Sequence, residues 1–124
     1  MALNPLRFDG IRYEMDFENL ESVITERTKM LLLCSPHNPV GRVWSPDELR
    51  RLGEICVKYN ILIVSDEIHN DLVFKEFAHT PLASVSEEFA NLSITCIAPS
   101  KTFNLAGLHT SFVIIPNLDL KKAV

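Results

Sequence analysis

Three short polar clusters in this 124-residue chain carry residue types that do chemistry. Ser100-Lys101-Thr102 sets an amine between two hydroxyls, directly after an apolar run. A lysine desolvated at a sheet edge has a lowered pKa, and the neutral amine it releases is the nucleophile of Schiff-base chemistry. Asp66-Glu67-Ile68-His69 places carboxylates and an imidazole after a second apolar run. Ser35-Pro36-His37-Asn38-Pro39-Val40-Gly41 offers an amide in a loop built from two prolines and a glycine. Taken singly, each cluster has a plainer reading: Lys101 as a surface lysine, Asp66 as a helix cap, His69 as a satisfied polar residue.

The elements that must position these clusters change that balance. Met30-Leu31-Leu32-Leu33-Cys34 and Ile61-Leu62-Ile63-Val64 are short, uncharged apolar runs, the pattern of strands buried on both faces. Between them Ser45 reads as an N-cap, with Pro46 at the first helical position and Glu48 closing a capping box. Leu49, Leu52, Ile55, Cys56 and Tyr59 form the apolar stripe of that helix, Lys58 complements its carboxyl end and Asn60 ends it. Trp44 reads as a packing residue at the helix start, the outer half of a hydrophobic staple. Strand, capped helix and strand make a βαβ unit.

Upstream, residues 1–15 read as extended or looped, and Asp16 caps a short helix with Phe17, Leu20 and Ile24 on one face. Downstream, Leu82 to Phe89 reads as a helical turn or short helix, Leu92 to Ile97 as a third strand and Phe112 to Ile115 as a fourth ended by Pro116. The fold class is therefore α/β, a mostly parallel sheet flanked by helices. Asn38, Asp66 with His69, and Ser100 with Lys101 each fall just beyond the carboxyl end of a strand, the edge where open parallel sheets bind ligands.

Composition narrows the function classes. Twelve Lys and Arg against 16 Asp and Glu give a net charge of −4, which disfavours nucleic acid as a partner. No apolar run approaches the roughly 18 residues of a membrane span, and the first 13 residues carry Arg7, Asp9 and Arg12 rather than a signal-peptide core. Cys34, Cys56 and Cys96, odd in number and without C-x-x-C spacing, read as buried free thiols of a cytoplasmic protein. The four histidines are scattered with no metal-site spacing, and there is no glycine-rich nucleotide fingerprint. With no linker, repeat or low-complexity segment, residues 1–124 read as one domain.

Ser35–Gly41, Val64–His69 and Ala98–Gly107 together, in this order and spacing, resemble the fold-type I enzymes that use pyridoxal 5′-phosphate (PLP). Within them the chain is most similar to the cystathionine β-lyase branch of the class I and II aminotransferases, over about residues 4–117. The resemblance implies that Lys101 holds PLP as a Schiff base and that Asp66 keeps the pyridinium nitrogen protonated. It implies also that Asn38 donates to the ring 3′-oxygen, that His69 stands where most aminotransferases carry a tyrosine, and that Ser100 touches the phosphate. The implied reaction is carbon–sulfur β-elimination from an amino-acid thioether, with transamination as the alternative and a homodimer as the parent assembly. Two departures stand out. His109 occupies the place, eight residues after Lys101, of a phosphate-binding arginine. The chain is also about a third of the family's length. It therefore reads as a partial large domain, 1–124, without the segment that cradles the phosphate or the small domain, and as inactive in isolation; a remnant that binds no cofactor is the reading of another class.

Overall fold

The computed structural model describes residues 1–124. Short strands β1 (Arg7–Phe8) and β2 (Tyr13–Glu14) form an antiparallel hairpin, and α1 (Phe17–Val23) follows. The hairpin turn uses Gly10 at φ 101°, with the Asp9 carboxylate accepting from the Ile11 and Arg12 amides. Asp16 caps α1 as expected, its Oδ1 accepting from Asn19 N at 2.9 Å.

The main sheet contains β3 (Met30–Cys34), β4 (Leu62–Asp66), β5 (Ser93–Ile97) and β6 (Phe112–Ile114), in that spatial order. β3, β4 and β5 are parallel, while β6 runs antiparallel to β5. The α/β class with a mostly parallel sheet and flanking helices is thus what the chain adopts. Boundaries shift in four places. β5 begins at Ser93 instead of Leu92. β4 begins one residue later than the apolar run and extends to Asp66, so Asp66 ends the strand instead of lying beyond it. The Leu82–Phe89 segment divides into a 3-10 turn (Leu82–Ser84) and α3 (Glu87–Asn91), because Ser86 takes the N-cap role and accepts from Phe89 N. The fourth strand stops at Ile114.

The crossover helix α2 (Pro46–Lys58) has the expected capping box: Glu48 N donates to Ser45 Oγ and Ser45 N donates to Glu48 Oε2. Its carboxyl end closes with Asn60 in the left-handed region at φ 51°. The Ile61 N–H returns to Cys56 O and the Asn60 N–H to Val57 O, two bonds that satisfy otherwise orphaned carbonyls. Leu49, Leu52, Ile55 and Cys56 are buried, but Tyr59 leaves the stripe: it is 38% exposed and donates its hydroxyl to Glu21. Gly53 is buried where the Phe89 ring crosses, and a Cβ there would lie 2.4 Å from that ring.

One face of the sheet packs into a continuous core. Leu33 and Ile63 meet Trp44, Leu49, Leu52, Cys56, Leu82 and Phe89, with Met15 and Leu20 joining from upstream. Trp44 is 1% exposed, and its Nε1 donates to Cys34 O at 2.9 Å, tying the helix start to the end of β3. The opposite face is open, with Leu32 72% and Val113 55% exposed. The polypeptide beyond Ser100 stays almost entirely exposed, including α4 (Pro99–Thr102), the 3-10 turn Ala106–Leu108 and α5 (Leu118–Ala123). No helix is long and apolar enough to cross a membrane.

Candidate functional site

Strand register decides which groups share a surface. Cys34 pairs with Asp66, Asp66 with Cys96, and Cys96 with Val113. Directly paired residues project to the same side of a sheet, so Asp66 stands on the open face between two thiols. All three side chains are half-buried. The Cys34 and Cys96 backbones are two strand spacings apart, about 9.5 Å, which is beyond disulfide reach. The cysteines are free, as expected, but only Cys56 is fully buried; Cys34 and Cys96 lie at the open face instead. Burial pushes the Cys56 thiol up to about 12. Burial, and secondly the Asp66 charge, also push up the Cys96 thiol, which places the carboxylate and the sulfur in each other's field.

The Asp66 carboxylate has no cationic partner; its one hydrogen bond comes from Ile68 N at 3.2 Å. Asn38 follows β3 in an exposed turn whose backbone is hooked to the strand by sulfur: Asn38 N donates to Cys34 Sγ and Cys34 Sγ donates to Pro36 O, both at 3.4 Å. Sequence reading placed Cys34 in the core and missed this role; its place at a strand end, four residues before Asn38, was the available signal. Beside it, burial holds the His37 imidazole below its ordinary range. Ser100 and Lys101 follow β5 on α4. Lys101 is exposed, so the desolvation expected at the sheet edge is not supplied by these residues. Thr102 Oγ1 donates to Asp71 Oδ2 at 2.9 Å, joining the lysine helix to the His69 loop.

The five candidates therefore share one sheet edge with no hydrogen bond between their side chains. The side chains of Asn38, His69, Ser100 and Lys101 make no hydrogen bond within the chain. Asn38 and His69 line a cleft of about 1140 Å³ that also takes in His37, Trp44 and Phe77, whereas Asp66, Ser100 and Lys101 lie outside it. Three of the cleft's four arginines are paired with oxygens, Arg42 with both Glu48 oxygens and the Tyr13 carbonyl, Arg7 with Asp16 and Arg12 with Glu14, while Arg51 lies over the Phe17 ring at 4.4 Å. Burial pushes the Glu48 carboxyl up, but Ser45 N–H and the Arg42 guanidinium outweigh it and hold the group below its usual value. His109 sits in the left-handed region at φ 49° and is exposed. Glu67, one of the carboxylates after the second apolar run, forms a buried pair under this edge at 2.8 Å with His79, to which the sequence gave no role. Only the acidic residue at the end of an apolar strand hinted at it.

A free carboxylate, an amine and an amide donor at the carboxyl edge of parallel strands suit an aromatic nitrogen cofactor carrying an aldehyde. The carboxylate meets a protonated ring nitrogen, the amine the aldehyde and the amide a phenolic oxygen. By the chemistry of these donors, the residues present fit PLP.

Residues 5–124 match the family described as aminotransferase class I and II. The chain is 50% identical over 121 residues to cystathionine beta-lyase PatB of Bacillus subtilis, covering 97% of this chain and 31% of that protein. It is 34% identical to the asparagine–oxo-acid transaminase of Streptococcus mutans, covering 82% of this chain and 26% of that one. Among solved structures it is similar to cystalysin from Treponema denticola, which contains pyridoxal 5′-phosphate: the TM-score is 0.92 at 45% identity, over 94% of this chain and 30% of that one. The chain thus spans about a third or less of the length of the relatives it matches.

Proposed function

The chain belongs to the class I and II aminotransferase family, and from that premise we propose that it forms the cofactor-carrying part of a PLP-dependent carbon–sulfur β-lyase. The observation that carries this reading is the unpaired Asp66 carboxylate held between Cys34 and Cys96 in register, at the edge where Asn38 and Lys101 also emerge. Asp66 would hold a proton at the ring nitrogen, which its charge makes more basic. Asn38 would donate to the ring oxygen, its turn fixed by the Cys34 thiol. Ser100 would contact the phosphate and Lys101 Nζ the aldehyde carbon, and His69 would border the ring from the cleft side. When bound, PLP draws electrons from the α-carbon of an amino acid, which acidifies the Cα–H. Lys101 Nζ would then take that proton as general base and later return one as general acid. A β-thiolate lost from the substrate thioether takes up a proton to leave as the thiol, and water hydrolyses the enamine left behind to pyruvate and ammonia.

Identity to PatB favours elimination, while a relative named as a transaminase supports transamination as the second reading. We place the protein in the cytoplasm, where its three thiols stay reduced, and assign it an amino-acid substrate and a homodimeric parent enzyme. Because Lys101 is exposed here, these residues alone would hold PLP without turnover.

Borohydride trapping tests the site. The chain is incubated with PLP and reduced, and the labelled peptide is mapped by mass spectrometry. Stoichiometric label on Lys101 that drops in Asp66→Ala supports the reading; label scattered over several lysines, indifferent to Asp66, removes it. Pyruvate release against keto-acid-dependent amino transfer, measured on a protein of the relatives' full length, then separates lyase from transaminase.

A further inference from the structure

Glu67 is the only charged residue in the buried set, at 2% exposure, and the chemistry above does not use it. Its Oε1 accepts from Ser65 Oγ at 2.8 Å and from Leu82 N at 3.1 Å, while Oε2 lies 2.8 Å from His79 Nε2. No lysine or arginine pairs with it; the His79 ring, with a side chain 7% exposed, is the one basic group against it. One carboxylate thus clamps both ends of the segment that leaves β4 at Glu67 and returns at Leu82. Beyond the Thr102 bond to Asp71, little else holds that segment, for Leu72, Phe74 and Phe77 are all more than half exposed. Two turns, Asn70 N to Glu67 O and Leu72 N to His69 O, carry the order of the clamp to His69. Glu67 shares a side with Ser65, toward the core, so it faces away from its neighbour Asp66.

We infer that Glu67 and His79 are a positioning pair: from beneath the sheet they set the backbone at 66–69, and so the aim of Asp66 and His69 toward the cofactor. The inference rests on the reading of Asp66 and His69 given above. The peptide between Asp66 and Glu67 is the lever. Its far side is fixed by the Glu67 N–H bond to Cys96 O at 2.8 Å and by the clamp. His79 Nδ1 is buried without a partner. The imidazole is therefore held through Nε2 alone, and its removal releases the return of the segment.

The test uses the full 124-residue chain in two arms. In the first, without PLP, amide exchange and the His69 ring resonance are followed by NMR in His79→Ala, His79→Gln and Glu67→Gln. Expected is roughly tenfold faster exchange at Leu82 and Asn70 in His79→Ala, with the His69 ring shifting toward that of free histidine and Ile63 in the sheet unchanged. The His79→Gln variant, whose side-chain amide still donates to Glu67, restores protection. Unchanged Leu82 and Asn70, or equal acceleration throughout the sheet, overturns the inference. Should His79→Ala not fold, Glu67→Gln answers the same question, since it keeps the shape and removes the charge. In the second arm PLP is titrated by its visible absorbance. His79→Ala is expected to weaken PLP binding roughly tenfold and His79→Gln to recover it. A loosened segment with unaltered PLP affinity, in a chain where Asp66→Ala abolishes binding, overturns positioning but leaves the site intact. PLP binding indifferent to Asp66→Ala sinks the site and the positioning role with it, while the exchange data still report the clamp on its own.

Discussion

The two faces of the same four-stranded sheet follow opposite rules. On the helix side, Leu33 and Ile63 are sealed by Trp44 and the stripe of α2, and the polar groups there are mostly bonded, as in the Ser65–Glu67–His79–Leu82 knot. On the other side Leu32 and Val113 lie in solvent, and the row through Cys34, Asp66 and Cys96 offers side chains with few partners. The closed face is completed by the chain's own residues. The open face presents the groups to which the proposed chemistry is assigned, and those groups have few partners within the chain. Packed and unpartnered groups are thus split across one strand's thickness, with Glu67 and Asp66 as adjacent residues on either side of the divide.

Substitutions test this division. The largest effect is expected at Leu49, which is 0% exposed: Leu49→Ala should cost about 2–5 kcal/mol in urea unfolding. The matching change on the open face, Leu32→Ala, should stay within about 0.5 kcal/mol. Equal losses would mean that the open face is packed, and the contrast would collapse. Next comes Gly53→Ala. Helix propensity favours alanine by about 1 kcal/mol, yet its Cβ would enter the Phe89 ring, so a net loss of about 1–3 kcal/mol is expected. Trimming Phe89 to leucine in the same chain should return part of it, which sharpens the assignment to that contact.

Smaller still is the Arg42–Glu48 link at the helix start. The Glu48 carboxyl titrates lower in the folded chain than in the unfolded one. Its contribution is therefore full above its unfolded value near 4.5 and fades as pH falls through the lower folded value. The Glu48→Gln variant should lose about 1 kcal/mol at neutral pH. Thermal melts across pH should show it declining less steeply than the parent chain below that unfolded value. At Cys34 the effect on stability is also small: Cys34→Ala should shift unfolding by less than about 1 kcal/mol while weakening PLP binding several-fold through the loosened Asn38 turn. Cys34→Ser, which keeps a donor and an acceptor, should behave as the parent chain does in the same absorbance titration.

Local signals carried the closed face well. Ser45, Pro46 and Glu48 spell out a helix start whose hydrogen bonds all form, and Asn60 ends α2 in the left-handed turn its side chain favours. The parallel order of β3, β4 and β5 follows from the crossover pattern, and it brings Asn38, Asp66, His69, Ser100 and Lys101 to one edge. What the sequence hid is non-local. Tyr59 matches the apolar period but meets Glu21, 38 residues away, instead of the core. The antiparallel turn of β6 leaves no trace in an apolar run. Glu67 and His79 are 12 residues apart across a loop without periodicity, so only folding discloses them as partners. Lys101 was expected to be desolvated because a strand precedes it, but burial depends on what covers an edge, and no local pattern encodes that.

The spatial order of the main sheet repeats the order of the chain, β3, β4, β5, β6. As the polypeptide emerges from the ribosome, each new strand therefore meets a neighbour that has already been synthesised, and none has to wait for a later partner to be inserted between two earlier ones. Assembly can proceed as addition at a growing edge, each step closing only the loop just made. The edge that bears the candidate residues is built from the ends of successive strands, so it matures in the direction of synthesis: Asn38 is in place before Asp66, and Asp66 before Lys101.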